Sequence, residues 1–540
     1  MSIRLPSATL SKTGMPRRYP RSITALICCL AATFASAQQN DVPLNRDIYQ
    51  DIDRNGTRPG STMHTGLRPI IESRADLTNV MGYRRDSVPQ YYWITEKLFK
   101  EHLVKITEGD FKLTVDAAFQ FEVGKEFREN TYFSDAFLMG HNGRGFHLMA
   151  DLGPTVSFQS DFYENQASLT GYLYDFAQKH GVVPGQGRIK NFNDRGLDFA
   201  WATGNVSWSP KPWINAQIGQ GRHFVGNGYR SVLLSDNARP YPFIKLSALT
   251  NNKRFQYSVI FAKLGMVGEQ NRLPTGEAGE SLFYWKRATF THLSLNLGPV
   301  QLGFFEGTIW KTVDTSGVLP FNALQLNPVI GVNTAVNGFN GDNTTLPGVD
   351  IKVRIADKAM VYGQFAVADP AKNRFAWQLG MQWFDLIIPG LHALVEYDQA
   401  SPFAYARPDA AMGWTHDNQP LASPLGTGYS EALAIVDWPV ARQFHARTEV
   451  SFANWAWDST GGDNTGLNYL WPSDPRTAPD DKVQRIFWDI SASWRMNQMS
   501  NMQLTAGYSN RDLQPAPDLL NSGMFYVSFH TGLFNRYYDL

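Results

Sequence analysis

The sequence predicts an all-β fold, a transmembrane antiparallel β-barrel of about 18 strands with a small N-terminal helical periplasmic region. Three observations lead there: segments in which every second residue is apolar, a regular alternation of short and long connections between them, and a leader of secretory type. In the clearest segment Phe111, Leu113, Val115, Ala117, Phe119, Phe121 and Val123 alternate with Lys112, Thr114, Asp116, Ala118, Gln120 and Glu122. Successive strand side chains point to opposite faces, so this stretch has one oily and one wet face. Phe444, Ala446, Thr448, Val450 and Phe452 repeat the pattern, as do Phe525, Val527, Phe529, Thr531 and Leu533.

In chain order the candidate strands cover residues 111–123, 145–152, 155–164, 197–208, 213–219, 242–249, 254–264, 287–297, 299–309, 349–356, 359–368, 374–384, 391–399, 430–438, 442–453, 485–495, 501–509 and 523–533. Even-to-odd joins are short, as at Gly153-Pro154 or Ala356 to Lys358. Odd-to-even joins are mostly long, as from Gln220 to Tyr241 or Trp310 to Gly348, with one exception at Asp369 to Asn373. Outer-membrane barrels have this asymmetry, with tight periplasmic turns and extended external loops. A propeller or tandem sandwiches account for alternation within strands but not for alternation of their connections. Closure into a barrel also removes the sheet edges that hydrocarbon would leave unpaired.

Arg17, Arg18 and Arg21 precede an apolar run from Ile23 to Phe34 and the small-x-small site Ala35-Ser36-Ala37. That order predicts a signal peptide over residues 1–37, cleaved after Ala37, with Met15 as an alternative start. Cys28 and Cys29 are the only cysteines, so the mature chain has none, and disulfides, thiol catalysis and Cys-zinc sites are excluded. Lysine plus arginine (49) equals aspartate plus glutamate (49), which gives no support to a nucleic-acid partner. The 34 Phe, 22 Tyr and 15 Trp favour strands over helices.

Residues 38–108 read as a periplasmic helical or plug region, and residues 109–540 as the barrel. Within the former, Ile94, Leu98, Phe99 and Leu103 among Glu96, Lys97, Lys100 and Glu101 predict a helix with one apolar face over Tyr91 to Ile106, placed against the lower rim. No Gly-x-Ser-x-Gly elbow and no His-Glu-x-x-His pair occurs, so acyl-hydrolase and zinc-protease signatures are missing. Asp116, Glu122 and Glu449 offer carboxylates for glycoside hydrolysis, yet charge on the wet face of a barrel is ordinary. His445 on a wet face reads as a lumen hydrogen-bonding residue. "GFNGDNTTLPG" (Gly338 to Gly348) and "DSTGGDNTG" (Asp458 to Gly466) lack calcium-loop spacing and read as solvated turns. The expectation is a non-enzymatic protein without cofactor or metal.

The richest chemistry lies in "GQGRHFVGNGYRSVLLSDNARPYPF", Gly219 to Phe243. Where a dinucleotide fingerprint needs its third glycine stands Phe224, which argues against a phosphate cradle. Between two strands, the stretch becomes an external loop, or one folded into the lumen. A second Gly-Gln-Gly-Arg, Gly185 to Arg188, lies in another external loop and is placed to approach the first.

"RHFVGNGYRSVLLSDNARPYPFIKL", "HTGLRPII" (His64 to Ile71), "FYENQ" (Phe162 to Gln166), "VPGQGRIK" (Val183 to Lys190), "LNPVI" (Leu326 to Ile330) and "EYDQASP" (Glu396 to Pro402) together resemble the Wzi-like capsule assembly proteins, and more closely their gliding-motility-associated relatives in Bacteroidetes. The resemblance implies an eighteen-stranded outer-membrane barrel, partly closed by periplasmic helices and inward loops, that acts at the cell surface on polysaccharide. Its partners would be surface polysaccharide, outer-membrane lipid and capsule or gliding machinery proteins. One departure is the C-terminal Tyr537-Tyr538-Asp539-Leu540, where outer-membrane strands often finish on an aromatic. Arginine forks suit the carboxylates of an acidic glycan, and aromatic rings can carry sugar C–H faces. Arg188, Arg222, His223, Asn227, Tyr229, Arg230, Asp236 and Arg239 are therefore candidate polysaccharide-binding residues. The competing reading is that they knit loops together inside the lumen. At the level of function, a diffusion channel or transporter is the alternative, because eighteen strands enclose an aqueous lumen unless loops plug it. An outer-membrane hydrolase is a third reading.

Overall fold

The computed structural model describes residues 39–83, 92–267, 283–314, 317–339, 341–407, 412–441, 443–457, 481–515 and 520–540; the predicted leader and Asp458 to Gly466 lie outside them. Eighteen antiparallel strands close on themselves. In chain order they are β1 (Phe111–Glu126), β2 (Met139–Leu152), β3 (Val156–Ser168), β4 (Gly196–Lys211), β5 (Ile214–Gly221), β6 (Tyr241–Leu249), β7 (Phe255–Val267), β8 (Phe283–Asn296), β9 (Val300–Trp310), β10 (Thr344–Ala356), β11 (Ala359–Asp369), β12 (Arg374–Trp383), β13 (His392–Ala400), β14 (Tyr429–Ala441), β15 (Phe444–Trp457), β16 (Asp481–Asn497), β17 (Met502–Gln514) and β18 (Ser522–Thr531). The seam closes where β18 pairs with β1, from Met524 opposite Glu126 to His530 opposite Gln120. Among the described residues five short helices accompany the strands: α1 (Arg46–Gly56), α2 (Trp93–Phe99), α3 (Tyr132–Ala136), α4 (Gly171–His180) and α5 (Val332–Asn337).

Each predicted segment falls on its own strand, and the short even-to-odd joins all lie at one end. β2 starts earlier than the alternation suggests because Gly140, Gly143 and Gly145 carry no side chain to pattern. Gly145 is there for close approach: a Cβ added to it would stand 1.7 Å from the Phe162 carbonyl oxygen. The exception at Asp369 to Asn373 is a single 3-10 turn, Pro370–Lys372, with Asn373 in the left-handed region at φ 54°.

The helix expected over Tyr91 to Ile106 is corrected. It stops at Phe99, and Val104–Glu108 is a strand paired with the lower part of β1, from Val104 opposite Val115 to Glu108 opposite Phe111. That part of β1 lies beyond the end of β18, and its unpaired N–H and C=O groups outcompete the local helical pattern. The rim position does hold, since Phe99 stacks on Trp494 near the β16–β17 turn. The apolar residues of α2 are not buried, however: Tyr92, Trp93, Ile94 and Leu98 are all exposed.

The outer wall is apolar where the alternation placed it, with Phe121, Val123, Phe444, Phe452, Phe525 and Val527 exposed and Asp116, Gln120, Glu449 and Ser451 turned inward and buried. The inner wall departs from the expected wet face between β6 and β10. There Phe243, Ile260, Leu264, Phe290, Phe305, Ile309 and Leu346 point inward and are buried, because long loops descend onto them. Val232, Leu233 and Leu234 of the β5–β6 loop and Trp414, Leu421 and Leu425 of the β13–β14 loop complete this core. The lumen is therefore filled from above by a packed apolar body.

From below it is filled by residues 39–83. Their small core is Val42, Ile48, Tyr49, Ile52, Met63, Ile70, Val80 and Met81. Asn45 caps α1, its side chain accepting from the Asp47 and Ile48 amides. Polar bonds tie the segment to the wet wall near the short turns. Asn205 and Gln217 donate to Asp41 at 2.9 Å each, Arg74 donates to Ser247 at 3.1 Å, and His64 meets Ser294 at 2.8 Å. After β18 the chain turns back, and residues 532–540 run inside the lumen.

Candidate functional site in the lumen

The β5–β6 loop dives into the barrel and meets the segment of residues 39–83. Leu67 pairs with Val225 and Arg68 with Phe224, and the Gly226 amide donates to the Gly66 carbonyl at 2.8 Å. The glycines that opened the nucleotide reading serve this path. A Cβ on Gly219 would lie 2.2 Å from the Gly204 carbonyl oxygen, so β4 and β5 approach at that point only because the side chain is absent.

At the loop's tip a buried ionic knot forms. The backbone amides of Tyr229 and Arg230 each donate to Glu396 at 2.8 Å. Arg230 is fully buried and forks onto Glu431 at 2.8 and 2.9 Å while reaching Asp539 of the tail at 2.8 Å. Arg485 joins Glu431 at 2.7 Å and also meets the Asp539 carbonyl and Ser451. Burial opposes charge on Arg230, but Asp539 and Glu431 outweigh it and hold the guanidinium well above its ordinary range. Burial likewise works against the Asp539 carboxylate, and Arg230 with its neighbours pulls it below the usual range.

The remaining candidates are engaged the same way. Tyr229 donates to Glu449 at 2.8 Å and to Asp539 at 3.0 Å. Asn227 accepts from Thr65 at 2.6 Å. Asp236 accepts from Asn535 at 2.8 Å and from Tyr537. His223 meets the Tyr241 hydroxyl at 3.2 Å, and burial keeps it neutral by lowering its pKa well below the ordinary value. Arg222 donates to the Gly185 carbonyl with its guanidinium 4.9 Å over Trp201, and burial lowers it to about 10. The two Gly-Gln-Gly-Arg loops do converge, for Arg188 and Arg239 both bind Asp417, at 3.0 and 2.6 Å. In the described structure these polar groups knit loops together, and only Arg188 and Arg239 keep side chains about a quarter exposed, 27% and 22%.

Sequence reading missed the other half of the knot. Glu396, Glu431 and Arg485 sit on inward faces of β13, β14 and β16, and Asp539 in the tail. Their signal was an ionisable residue at wet positions of otherwise regular strands, Glu396 and Asp398 standing two apart within the quoted "EYDQASP".

Beside the knot an elongated cavity of about 910 Å³ follows the walls of β15–β18, β1 and β2. It reaches from Pro389, Gly390, Pro439 and Gln498 at the short-turn end to Ser168, Thr170 and Leu173 at the loop end. Arg46, Arg447, Arg495, Arg536, Asp47, Glu122, Glu449, Asp489, His141, His445 and His530 line it, with Arg447 paired to Glu449 and Arg495 to Asp47, both at 3.3 Å. His445 meets Arg495 at 3.3 Å, as a lumen hydrogen-bonding residue would. Asp116 lies outside the cavity, held by His102 at 2.6 Å and the Leu103 amide at 2.9 Å. Among the described residues no group of three or more His, Asp or Glu is placed to hold a metal ion.

Fold and site together define a closed outer-membrane-type β-barrel whose lumen is occupied from both ends. The solved structure of Escherichia coli Wzi, described as an outer-membrane protein involved in group 1 capsule assembly and a carbohydrate-binding β-barrel, is similar in fold. The match has a TM-score of 0.54 at 12% identity over 92% of this chain and 100% of that one. Pseudomonas aeruginosa OprD (TM-score 0.41, 9% identity, 77% and 94% covered) and Acinetobacter baumannii OccAB3 (0.42, 10%, 78% and 98%) are weaker matches. No family model matches the sequence, and no curated protein does.

Proposed function

We propose that this protein is a non-enzymatic outer-membrane barrel that binds or anchors polysaccharide at the cell surface, in capsule assembly or attachment or in support of gliding adhesion. The observation that carries the reading is the packed body inside the barrel. A wide lumen is given up to two external loops, a periplasmic segment and a C-terminal tail, which suits a rigid surface platform better than a diffusion path. Whole-chain likeness in fold to Wzi, itself described as carbohydrate-binding, supports the same reading. The grip would be the external face where Arg188 and Arg239 converge on Asp417, with guanidinium edges directed at glycan carboxylates. Replacing both by Gln is expected to lower retention of an acidic capsular polysaccharide on purified protein about tenfold, with unchanged abundance in the outer membrane. Unchanged retention rejects that face as the grip.

The channel reading is favoured by one observation, the cavity that runs between the two ends of the barrel. Planar-bilayer recordings separate the two readings: an anchor gives no stepwise conductance, and a porin gives steps.

A further inference from the structure

The external connection between β9 and β10 does not enter the lumen. It folds down over the outside of the barrel. Along the outward faces of β7–β10 the half toward the short turns is bare and apolar, with Phe255, Phe304, Val349 and Ile351 exposed. The upper half carries Thr289, Thr291, Glu306, Thr308, Trp310 and Thr345 on the same face, and all six are buried. Residues 318–339 cover them. Glu306 accepts from the Gly331 and Thr334 amides at 2.8 and 2.7 Å, Thr289 donates to the Gln325 carbonyl at 2.8 Å, and Thr345 donates to the Gly338 carbonyl at 2.6 Å. Further down, the Tyr257 hydroxyl donates to the Pro328 carbonyl and accepts from the Ile330 amide.

Glu306 stands near the middle of the eleven-residue β9, and about ten tilted residues suffice to cross a bilayer. A carboxylate there, on the outward face, would meet hydrocarbon unless something covers it. The cover is built for that place. From Gly317 to Gly341 the chain reads GVLPFNALQLNPVIGVNTAVNGFNG, with no Asp, Glu, Lys, Arg or His. Its outward side chains include Val318, Phe321, Leu326, Val329 and Val336, each more than half exposed. Its asparagines bond inward: Asn322 accepts from the Leu324 amide, and Asn327 both accepts from the Val329 amide and donates to Asn333. Irregular backbone at membrane depth requires such internal satisfaction.

We propose that residues 318–339 form a lipid-embedded flap, an external loop laid over the outer wall whose apolar face meets the acyl chains of the outer leaflet. The face continues the bare belt below it, which identifies the occupant as hydrocarbon. The proposal rests on the membrane placement given under Proposed function, and the controls below separate the two.

The test uses single cysteines at Val329→Cys and Val336→Cys in a chain with Cys28 and Cys29 replaced by Ser, labelled with a polarity-sensitive fluorophore and reconstituted in vesicles. Val349→Cys reports the bare wall, and Asn251→Cys the aqueous turn between β6 and β7. Labels at 329 and 336 are expected to be quenched by doxyl-labelled lipid to within twofold of position 349 and to escape iodide, which quenches position 251. Iodide quenching at 329 and 336 with a lipid-quenched 349 overturns the flap alone. Protection from both quenchers with cross-linking between copies overturns it in favour of a protein interface. A position 349 that lipid does not quench removes the membrane reading and the flap with it. Glu306→Ala is expected to raise iodide access at 329 at least threefold, and Glu306→Gln, which keeps an acceptor, much less.

Discussion

The two bodies that fill the lumen are built on opposite plans. The upper one is a hydrophobic core, in which Trp414, Leu421, Leu425, Val232, Leu233 and Leu234 lie against an apolar wall and an ionic knot fastens the tip. The lower one has only the small cluster around Ile48, Ile52 and Val80, and it adheres to a wet wall through side-chain bonds such as Asn205 and Gln217 to Asp41. The upper body takes its stability from area removed from water, and the lower one from many modest polar contacts.

The largest expected effect breaks the knot. Arg230→Met removes the cation that joins Glu431 to Asp539 and leaves buried carboxylates short of a partner, a loss of about 3–5 kcal/mol. Urea unfolding followed by heat-modifiable gel mobility and limited proteolysis of the β5–β6 loop would register it, with residues 39–83 still protected. Packing gives the next contrast. Trp414→Ala should cost about 3–5 kcal/mol and Ile52→Ala about 2–4, the smaller core collapsing more readily around its cavity. Equal losses would show that the two bodies are packed alike.

Acidity sharpens the difference further, because the lower body holds buried groups of both signs. Burial lowers His416 in the upper body to about 4, and its Nδ1 accepts from the Gly265 amide at 2.8 Å. An unfolded histidine takes its proton near pH 6.5, so this contribution is whole above 6.5 and is lost as pH falls toward 4. Burial pushes Glu72 of the lower body up to about 8, against the Tyr83 hydroxyl that donates to it at 2.7 Å. Its contribution is whole below the ordinary carboxyl range and is lost as pH rises toward 8. The first amounts to about 3 kcal/mol and the second to about 5. Hydrogen exchange, corrected for intrinsic rates, is therefore expected to show residues 412–428 opening between pH 6.5 and 4 while residues 39–83, where burial also lowers His64 to about 4 and offsets Glu72, change little.

The strands were legible because a period of two is written residue by residue, as in Phe111 to Val123. The β6–β10 wall was less so, since Ile260 and Phe290 face an apolar filling and leave no wet face to read. The α2 segment misled because Ile94 and Leu98 keep helical spacing while the decisive partner of Val104, the free edge at Val115, lies on another strand. At the site, the polar richness of Gly219 to Phe243 was plain, but its purpose was not. Arg230 finds Asp539 across 309 residues, and no local pattern encodes such a meeting. The outward Glu306 was legible only as a break in alternation.

The short ladder between Leu67 and Val225 couples the two bodies that enter the lumen from its opposite ends. Tension applied to the long loops would travel along Gly226 to Gly66 through backbone bonds and arrive at a segment rooted near the short turns, without passing through the barrel wall. A pull on the long-loop end of the barrel is thereby delivered to the short-turn end by a two-residue clasp.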